Sequence, residues 1–197
     1  MTDRSDDELA ALGLRGSAEA LEELYRRYRR PLLGFAFRLT GDRALAEDVF
    51  QSTFIYFFQH LDRYVPKGKL SAYLFRIARS KALDEKAAVR RERSAAREYL
   101  FTPAPSAGTS SEEEASAQAL ESKVRDAMEN LPVHLREVVV LRLYQDMDYA
   151  RIGEITGVSE ATARSRMRYG LDALRQALGA DLRRPPGFLE DSTARDG

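Results

Sequence analysis

The sequence predicts an all-α protein in which two small helical domains are joined by a flexible linker. Apolar residues recur every three or four positions through most of residues 6–100 and 118–178, the period of amphipathic helices, and no run alternates apolar and polar residues as strands do. Residues 102–117, TPAPSAGTSSEEEASA, carry too few apolar side chains to fold alone. We therefore expect domains at 6–100 and 118–178, a linker at 101–117, and a disordered or regulatory tail at 179–197.

The first two helices of the N-terminal block are separated by a polar break. A short helix runs through LAALGLRG, and Ser17 is a good N-cap for a longer helix that follows. Pro31 lies within this longer helix and predicts a bend or a boundary there, because proline lacks a backbone N–H. The apolar stripe of the longer helix consists of Leu21, Leu24, Tyr28, Leu32, Phe35 and Leu39.

Two more helices complete this block. Gly41 and Asp42 predict a turn, after which ALAEDVFQSTFIYFFQHL has the pattern of an amphipathic helix. Pro66 and Gly68 break the chain again, before a long basic helix from about residue 70 to residue 97.

Charge is distributed unevenly along the chain. The formal net charge is zero, yet residues 63–97 contain eleven Lys or Arg residues against three Asp or Glu residues. Because phosphate affinity depends on where cations cluster, the basic helix is a candidate nucleic-acid surface. Charge alone leaves open an ordinary solvated helix face.

The second block ends in the pattern of a helix-turn-helix. Gly157 allows the positive φ of a sharp helix exit, and Ser159 is a good N-cap for the second helix. Arg164 and Arg168 lie one turn apart on that helix, away from its apolar side, as expected for a helix that enters a DNA major groove. The apolar stripes are Tyr149, Ile152 and Ile155 in the first helix, and Ala163, Met167, Leu171 and Leu174 in the second.

Composition argues against several classes of protein. The chain has no cysteine, which excludes disulfide scaffolds and thiolate metal sites, and His60 and His134 are too far apart in sequence for ligand spacing. No apolar run reaches the ~20 residues that span a bilayer, so we expect a cytoplasmic protein. Phosphate-loop, dinucleotide and Ser-His-Asp patterns are missing as well. We expect no cofactor, no metal and no enzymatic activity.

Three segments together resemble one family. They are LEELYRRYRRPLLGFAFRLTGDRALAEDVFQSTF, KLSAYLFRIARSKALDEKAAVRR and LPVHLREVVVLRLYQDMDYARIGEITGVSEATARSRM. Their order and spacing resemble a bacterial RNA polymerase sigma factor of the extracytoplasmic-function (ECF) group, over roughly three quarters of the chain. The resemblance implies a protein that binds core polymerase and directs initiation at particular promoters.

The AEDVFQSTF segment is the candidate polymerase contact. In the family, this segment binds the clamp helices of the largest polymerase subunit, and the C-terminal domain approaches the polymerase flap. By resemblance we expect Glu47, Asp48, Gln51 and Phe54 to contact polymerase. From the residues alone, the pattern favours an amphipathic helix with its phenylalanines in the core.

The basic helix is the candidate for recognising and melting the promoter −10 element. Cations can follow phosphates while aromatic rings stack on unpaired bases. Two residues depart from the family pattern, since Tyr73 replaces the usual tryptophan and Ser80 the usual asparagine, and Phe75 is more simply explained as core. The expected −10 residues are Tyr64, Tyr73, Arg76, Arg79, Ser80, Lys81, Arg90 and Arg91.

The helix-turn-helix is, by the same resemblance, the reader of the −35 element. Two cations that are common in the family are missing after Arg168, and Gly170 lies within the helix, where glycine costs about 1 kcal/mol relative to alanine. The expected −35 residues are Ser159, Glu160, Ala161, Thr162, Arg164, Ser165 and Arg168.

Two other functions fit part of the pattern. A helix-turn-helix transcription regulator would use residues 1–100 as a sensory or dimerising module. A sigma-like decoy would bind polymerase or an anti-sigma protein without opening promoters. An anti-sigma partner is also expected by resemblance, although the sequence does not identify it.

Overall fold

The computed structural model describes residues 4–96 and 122–179. Within these ranges the chain is helical and contains no strand, which confirms the predicted all-α class. The predicted linker and all of the tail beyond Gly179 lie outside the described residues. The helices are α1 (Asp6–Leu14), α2 (Ala18–Thr40), α3 (Arg43–Gln59), α4 (Leu70–Ala96), α5 (residues 122–130), α6 (Val133–Tyr144), α7 (Tyr149–Thr156) and α8 (Glu160–Leu178), with a 3-10 turn at Leu61–Arg63.

Short polar side chains define most of the helix starts. Each accepts a hydrogen bond from a backbone N–H of the first turn, one of the donors that a helix leaves without an internal partner. At α1 the interaction is reciprocal, because Glu8 accepts from the backbone N–H of Ser5 at 2.7 Å. The N-caps of α1, α2, α3, α7 and α8 are Ser5, Ser17, Asp42, Asp148 and Ser159.

Helix α2 is continuous through Pro31. Pro31 lies inside it and marks no boundary, since the helix continues to Thr40. The proline removes one backbone donor, but Tyr28, Leu32 and Phe35 on either side of it are buried in the domain core. This burial offsets the lost hydrogen bond.

Helices α1 to α4 enclose an aromatic core. Phe35 of α2 and Phe75 of α4 meet edge to face with ring centroids 5.2 Å apart, and both are fully buried. Phe75 is therefore a core residue, as expected. The apolar positions predicted to bury on the basic helix, Leu70, Leu74, Ile77 and Ala78, are all buried.

Helices α5 to α8 form the second domain, in which two glycines permit close helix packing. A Cβ on Gly153 would lie 2.6 Å from the backbone oxygen of Val158, so glycine is needed in the tight corner between α7 and α8. A Cβ on Gly170 would lie 2.7 Å from Cγ2 of Val139, so glycine at this position lets α8 pack on α6 without strain. The helix interior glycine therefore has a packing role that the sequence alone did not indicate.

The two domains pack against each other, with α7 on α4 and α6 on α2. Arg136 of α6 is buried at 4% exposure and donates to the carbonyl oxygen of Leu39, at the end of α2, over 3.0 Å. Lys86 of α4 donates to the same oxygen over 3.0 Å. Carbonyls at a helix C-terminus lack internal donors and attract cations, so Arg136 caps α2 across the domain boundary.

Candidate nucleic-acid interface

The α8 surface is an exposed strip along the first half of the second helix of the helix-turn-helix. Its residues are the seven predicted −35 contacts, and all seven are exposed: Ser159, Glu160, Ala161, Thr162, Arg164, Ser165 and Arg168. The Ser159 hydroxyl accepts from the Thr162 N–H at 3.1 Å and fixes the helix start. Arg164 pairs with Glu160 at 2.9 Å and lies over the Tyr149 ring at 4.7 Å. These contacts orient the guanidinium toward the exposed side of the helix.

The turn before α8 has the geometry that the sequence predicts. Gly157 ends α7 at φ 75°, in the left-handed region, and its N–H donates to the Gly153 oxygen at 2.8 Å. On the far side of α8, Ala163 and Met167 are buried as expected. The turn and the buried stripe together place the predicted contact residues outward.

The α4 surface comprises the predicted −10 residues on α4 and in the loop before it. Tyr64 and Tyr73 lie side by side with ring centroids 5.5 Å apart, and Arg76 is 5.5 Å from the Tyr73 ring. Arg76, Ser80, Arg90 and Arg91 are exposed, whereas Tyr64, Tyr73, Arg79 and Lys81 are half-buried.

A cleft of about 240 Å³ opens beside this tyrosine pair. Three cationic side chains and both phenol rings line it, an arrangement suited to an anionic ligand that carries an aromatic group. A carboxylate of the C-terminal domain also reaches the cleft. The polar and aromatic lining residues are Arg63, Tyr64, Lys69, Tyr73, Arg76 and Glu154.

The C-terminal domain covers part of the α4 surface. Glu137 of α6 is 0% exposed and accepts from Arg79 Nε at 2.6 Å and from Arg79 Nη2 at 3.2 Å. Arg166 of α8 lies 3.6 Å from the same carboxylate. At the edge of the interface Lys69 pairs with Glu154 at 2.5 Å. Arg79 is thus engaged by a buried acid rather than exposed to a ligand.

Arg136 and Glu137 contact the N-terminal domain but were not predicted from the sequence. Burial lowers the pKa of Arg136 from its ordinary value, and burial followed by the nearby Arg136 charge lowers that of Lys86. The available signal was a pair of adjacent charged residues inside the apolar run VHLREVVV, at positions that a helix would bury. Their partners are distant in sequence and could not be named.

The loop between the 3-10 turn and α4 is held by α1. Asp7 accepts from the Tyr64 hydroxyl at 2.6 Å through one carboxylate oxygen and from the Gly68 N–H at 2.6 Å through the other. Burial, and after it the bond to Asp7, raises the pKa of Tyr64 above its ordinary value. The phenol therefore remains a hydrogen-bond donor at neutral pH.

The four predicted polymerase contacts on α3 include one residue that is not on the surface. Asp48 and Gln51 are exposed and Glu47 is half-buried, but Phe54 is only 2% exposed. The Phe54 ring packs against Tyr25, at a centroid distance of 5.0 Å, and lies beneath the surface rather than on it. The spacing of Phe54 from Phe50 and Phe57 already allowed this core position.

Two other apolar residues of α3 have the exposure that was expected of Phe54. Ile55 is 56% exposed and Phe58 is exposed as well. We therefore define the α3 surface as Glu47, Asp48, Gln51, Ile55 and Phe58.

No helix in the described parts of the chain is both long enough and apolar enough to cross a bilayer. In the same residues, no group of three His, Asp or Glu side chains is arranged to hold a metal ion.

The first domain presents a cationic, aromatic surface and the second a helix-turn-helix. This combination is typical of DNA-binding proteins that act in transcription. Residues 24–95 match the family model for Sigma-70 region 2, and residues 121–174 match the model for Sigma-70 region 4. The chain belongs to the sigma-70 family of RNA polymerase sigma factors, in its ECF group.

Relatives support this membership over most of the chain. The RNA polymerase sigma factor CarQ of Myxococcus xanthus is 33% identical over 168 residues, covering 83% of this chain and 92% of the relative. The ECF RNA polymerase sigma factor SigL of Mycobacterium tuberculosis is 32% identical over 165 residues, covering 82% and 90%.

Solved structures share the fold. CnrH in complex with the cytosolic domain of CnrY superimposes with a TM-score of 0.69 at 23% identity, covering 90% of this chain and 99% of that one. The sigma factor RpoE from Bartonella quintana, in complex with the anti-sigma factor NepR, gives a TM-score of 0.62 at 20% identity, covering 81% and 99%.

Proposed function

We propose that this chain binds core RNA polymerase and directs promoter-specific initiation, with the N-terminal domain reading and melting the −10 element and α8 reading the −35 element. The observation that carries the proposal is the pairing of two candidate DNA surfaces, on two domains, in the order of the matching family regions. In this role the chain selects the promoter, and polymerase catalyses RNA synthesis, in the cytoplasm.

The α3 surface is the proposed polymerase contact. The exposed Asp48 and Gln51 offer charge and hydrogen bonds beside the exposed apolar residues Ile55 and Phe58. An apolar patch with a polar rim suits docking on a partner helix, where apolar burial supplies affinity and the acids select a basic partner.

The α4 surface is the proposed −10 contact, and its use requires a change in domain packing. Arg79 is paired with the fully buried Glu137, and Lys69 with Glu154. A phosphate would have to replace Glu137 as the partner of Arg79. We therefore assign the packed domain arrangement to the chain away from the promoter.

The α8 surface is the proposed −35 contact. Arg164 and Arg168 are exposed and one helical turn apart, so both face the groove when α8 enters it. Ser159 and Thr162 lie at the helix start, where backbone N–H groups and the helix dipole favour a phosphate. Two modest contacts on one chain gain affinity through effective concentration once polymerase holds both domains.

Transcription by reconstituted holoenzyme tests the proposal. Core polymerase with the wild-type chain should initiate at a subset of promoters from a genomic library, whereas core alone should not. Replacing Arg164 and Arg168 by Ala should lower initiation at −35-dependent promoters about tenfold. The control is Arg175→Ala, which removes an exposed arginine from the far end of α8.

Two results would favour the other functions. Tight duplex binding by the chain alone, without initiation in the presence of core, would indicate a conventional helix-turn-helix regulator. Binding to core with unreactive −10 thymines in permanganate footprinting would indicate a decoy. An anti-sigma partner stays a prediction that pull-down with the full chain can test.

A further inference from the structure

Asp7 bridges the two ends of the loop that carries Tyr64. One carboxylate oxygen accepts from the Tyr64 hydroxyl and the other from the Gly68 N–H, each at 2.6 Å. Tyr64 begins the loop and Gly68, at φ +67°, lies near its end, so a single side chain closes the loop. Asp7 belongs to α1, which lies before the residues matched to Sigma-70 region 2.

A carboxylate is the side chain that this site requires. Both groups that meet Asp7 are donors, and only an ionised acid offers an acceptor oxygen to each of them. Hydrogen bonds to an ionised acceptor are about twice as strong as neutral ones. Asparagine would keep one acceptor but turn an amide N–H toward a second donor.

The neighbouring acid does not share this task. Asp6 accepts from Arg27 Nη1 at 2.5 Å and from the Tyr28 hydroxyl, and so ties α1 to α2. The two adjacent carboxylates are therefore directed at different elements. Asp7 is directed at the loop, and through it at the cleft lined by Tyr64 and Tyr73.

We propose that Asp7 is a positioning residue for −10 recognition: by holding the Tyr64 hydroxyl and the Gly68 N–H it fixes the Tyr64 ring beside Tyr73 and sets the shape of the cleft that receives an unpaired base. Asp7 itself does not contact DNA in this role. The inference rests on the proposed −10 function of the α4 surface.

Promoter opening by holoenzyme on templates with single base changes in the −10 or the −35 element tests this role. Asp7→Ala and Asp7→Asn should each lower discrimination among −10 bases, Asp7→Ala by about tenfold. Discrimination among −35 bases and affinity for core polymerase should stay unchanged. The matched control is Glu22→Gln, which removes an exposed acidic charge from α2.

A double-mutant cycle with Tyr64→Phe separates positioning from general stability. Tyr64→Phe removes the hydroxyl but keeps the ring, so the packing of the core is unchanged. If Asp7→Ala fails to fold, Tyr64→Phe alone still tests the hydrogen bond. If Asp7 acts through that hydroxyl, the double variant should discriminate −10 bases no worse than Asp7→Ala alone.

Three outcomes would overturn the inference. The first is that the losses of −10 discrimination in Asp7→Ala and Tyr64→Phe add up in the double variant. The second is that Asp7→Ala loses discrimination equally at −10 and −35 bases. The third is that Asp7→Ala and Tyr64→Phe both discriminate −10 bases as well as wild type. A wild-type holoenzyme that opens no promoter would overturn the proposed function, and this inference with it.

Discussion

The two candidate DNA surfaces differ in how accessible they are. Every residue of the α8 surface is exposed, whereas the α4 surface is partly covered by the C-terminal domain. Its Arg79 is held by Glu137, and the nearby Lys69 by Glu154. The helix proposed to read duplex DNA is thus exposed on its own domain. The surface proposed for single-stranded DNA becomes fully accessible only when the domains separate.

Helix α6 explains this difference. Its adjacent residues Arg136 and Glu137 are both buried, and each contacts the N-terminal domain, at Leu39 and at Arg79. Buried charges are costly unless they are fully paired, so their stabilising effect depends on the packed arrangement. One turn of helix therefore couples the stability of the packed chain to the accessibility of the α4 surface.

The largest expected effect comes from Arg136→Ala. Three carbonyl oxygens, those of Leu39, Glu129 and Leu131, would lose a charged donor inside the interface. We expect unfolding by urea to show a loss on the order of 3 kcal/mol in the free energy of unfolding. The exposed Arg125→Ala is the control. Equal free energies of unfolding for the two variants would contradict a role of Arg136 in stabilising the packed domains.

Glu137→Gln should change the α4 surface without changing the α8 surface. A neutral amide holds Arg79 less strongly, so the population with separated domains should rise. Affinity of the chain for a single-stranded −10 oligonucleotide should increase about tenfold, while affinity for −35 duplex stays constant. Fluorescence anisotropy measures both affinities.

The exposed pair provides the comparison for Glu137→Gln. Glu154→Gln removes an exposed ion pair with Lys69 and a negative charge at the cleft, so the gain in single-strand affinity should be about fivefold or less, since exposed ion pairs contribute about 0–1 kcal/mol. A gain as large as that of Glu137→Gln would show that burial of Glu137 is not the cause.

A smaller effect on stability is expected at Gly170, the glycine within α8 that packs against α6. Gly170→Ala places a Cβ 2.7 Å from Cγ2 of Val139, so packing strain of about 1–3 kcal/mol should exceed the gain of about 1 kcal/mol in helix propensity. At Gly34 the nearest atom is the flexible end of Arg38 at 3.2 Å, so Gly34→Ala should be neutral or stabilising. Thermal unfolding of both variants tests the contrast.

The smallest effect concerns Tyr64 and alkaline pH. Burial and Asp7 raise the pKa of Tyr64 above the ordinary value of 10.0, so the folded chain retains a phenol proton that the unfolded chain loses. The stability that this difference contributes is present below pH 10.0 and is lost as the pH rises above it. Urea unfolding should show that wild type loses its stability relative to Tyr64→Phe across this range. A constant difference would contradict the raised pKa.

Features set by local sequence were predictable, and those set by distant partners were not. Ser17, Gly157 and Ser159 have the predicted roles because caps and turns depend on neighbouring residues. Phe54 was misplaced because tertiary packing decides which face of α3 is buried. Packing also decides that the chain continues as a helix through Pro31.

The domain interface could not be predicted from the sequence for the same reason. The Arg136–Leu39 and Arg79–Glu137 contacts join residues about 100 and 60 positions apart, and no periodicity encodes such partners. The sequence could place candidate contact residues on each domain. It could not indicate that Arg79 of the α4 surface would be paired with Glu137 of the C-terminal domain.

Promoter opening is the most direct test of the central claim, that one chain contributes an accessible −35 reader and a covered −10 reader to polymerase. Permanganate reactivity of −10 thymines should appear only when core polymerase and this chain are both present on a promoter with both elements. Changing the −10 element should abolish that reactivity, and changing the −35 element should reduce it. Reactivity with the chain alone, or none with holoenzyme on any promoter of a genomic library, would contradict the account.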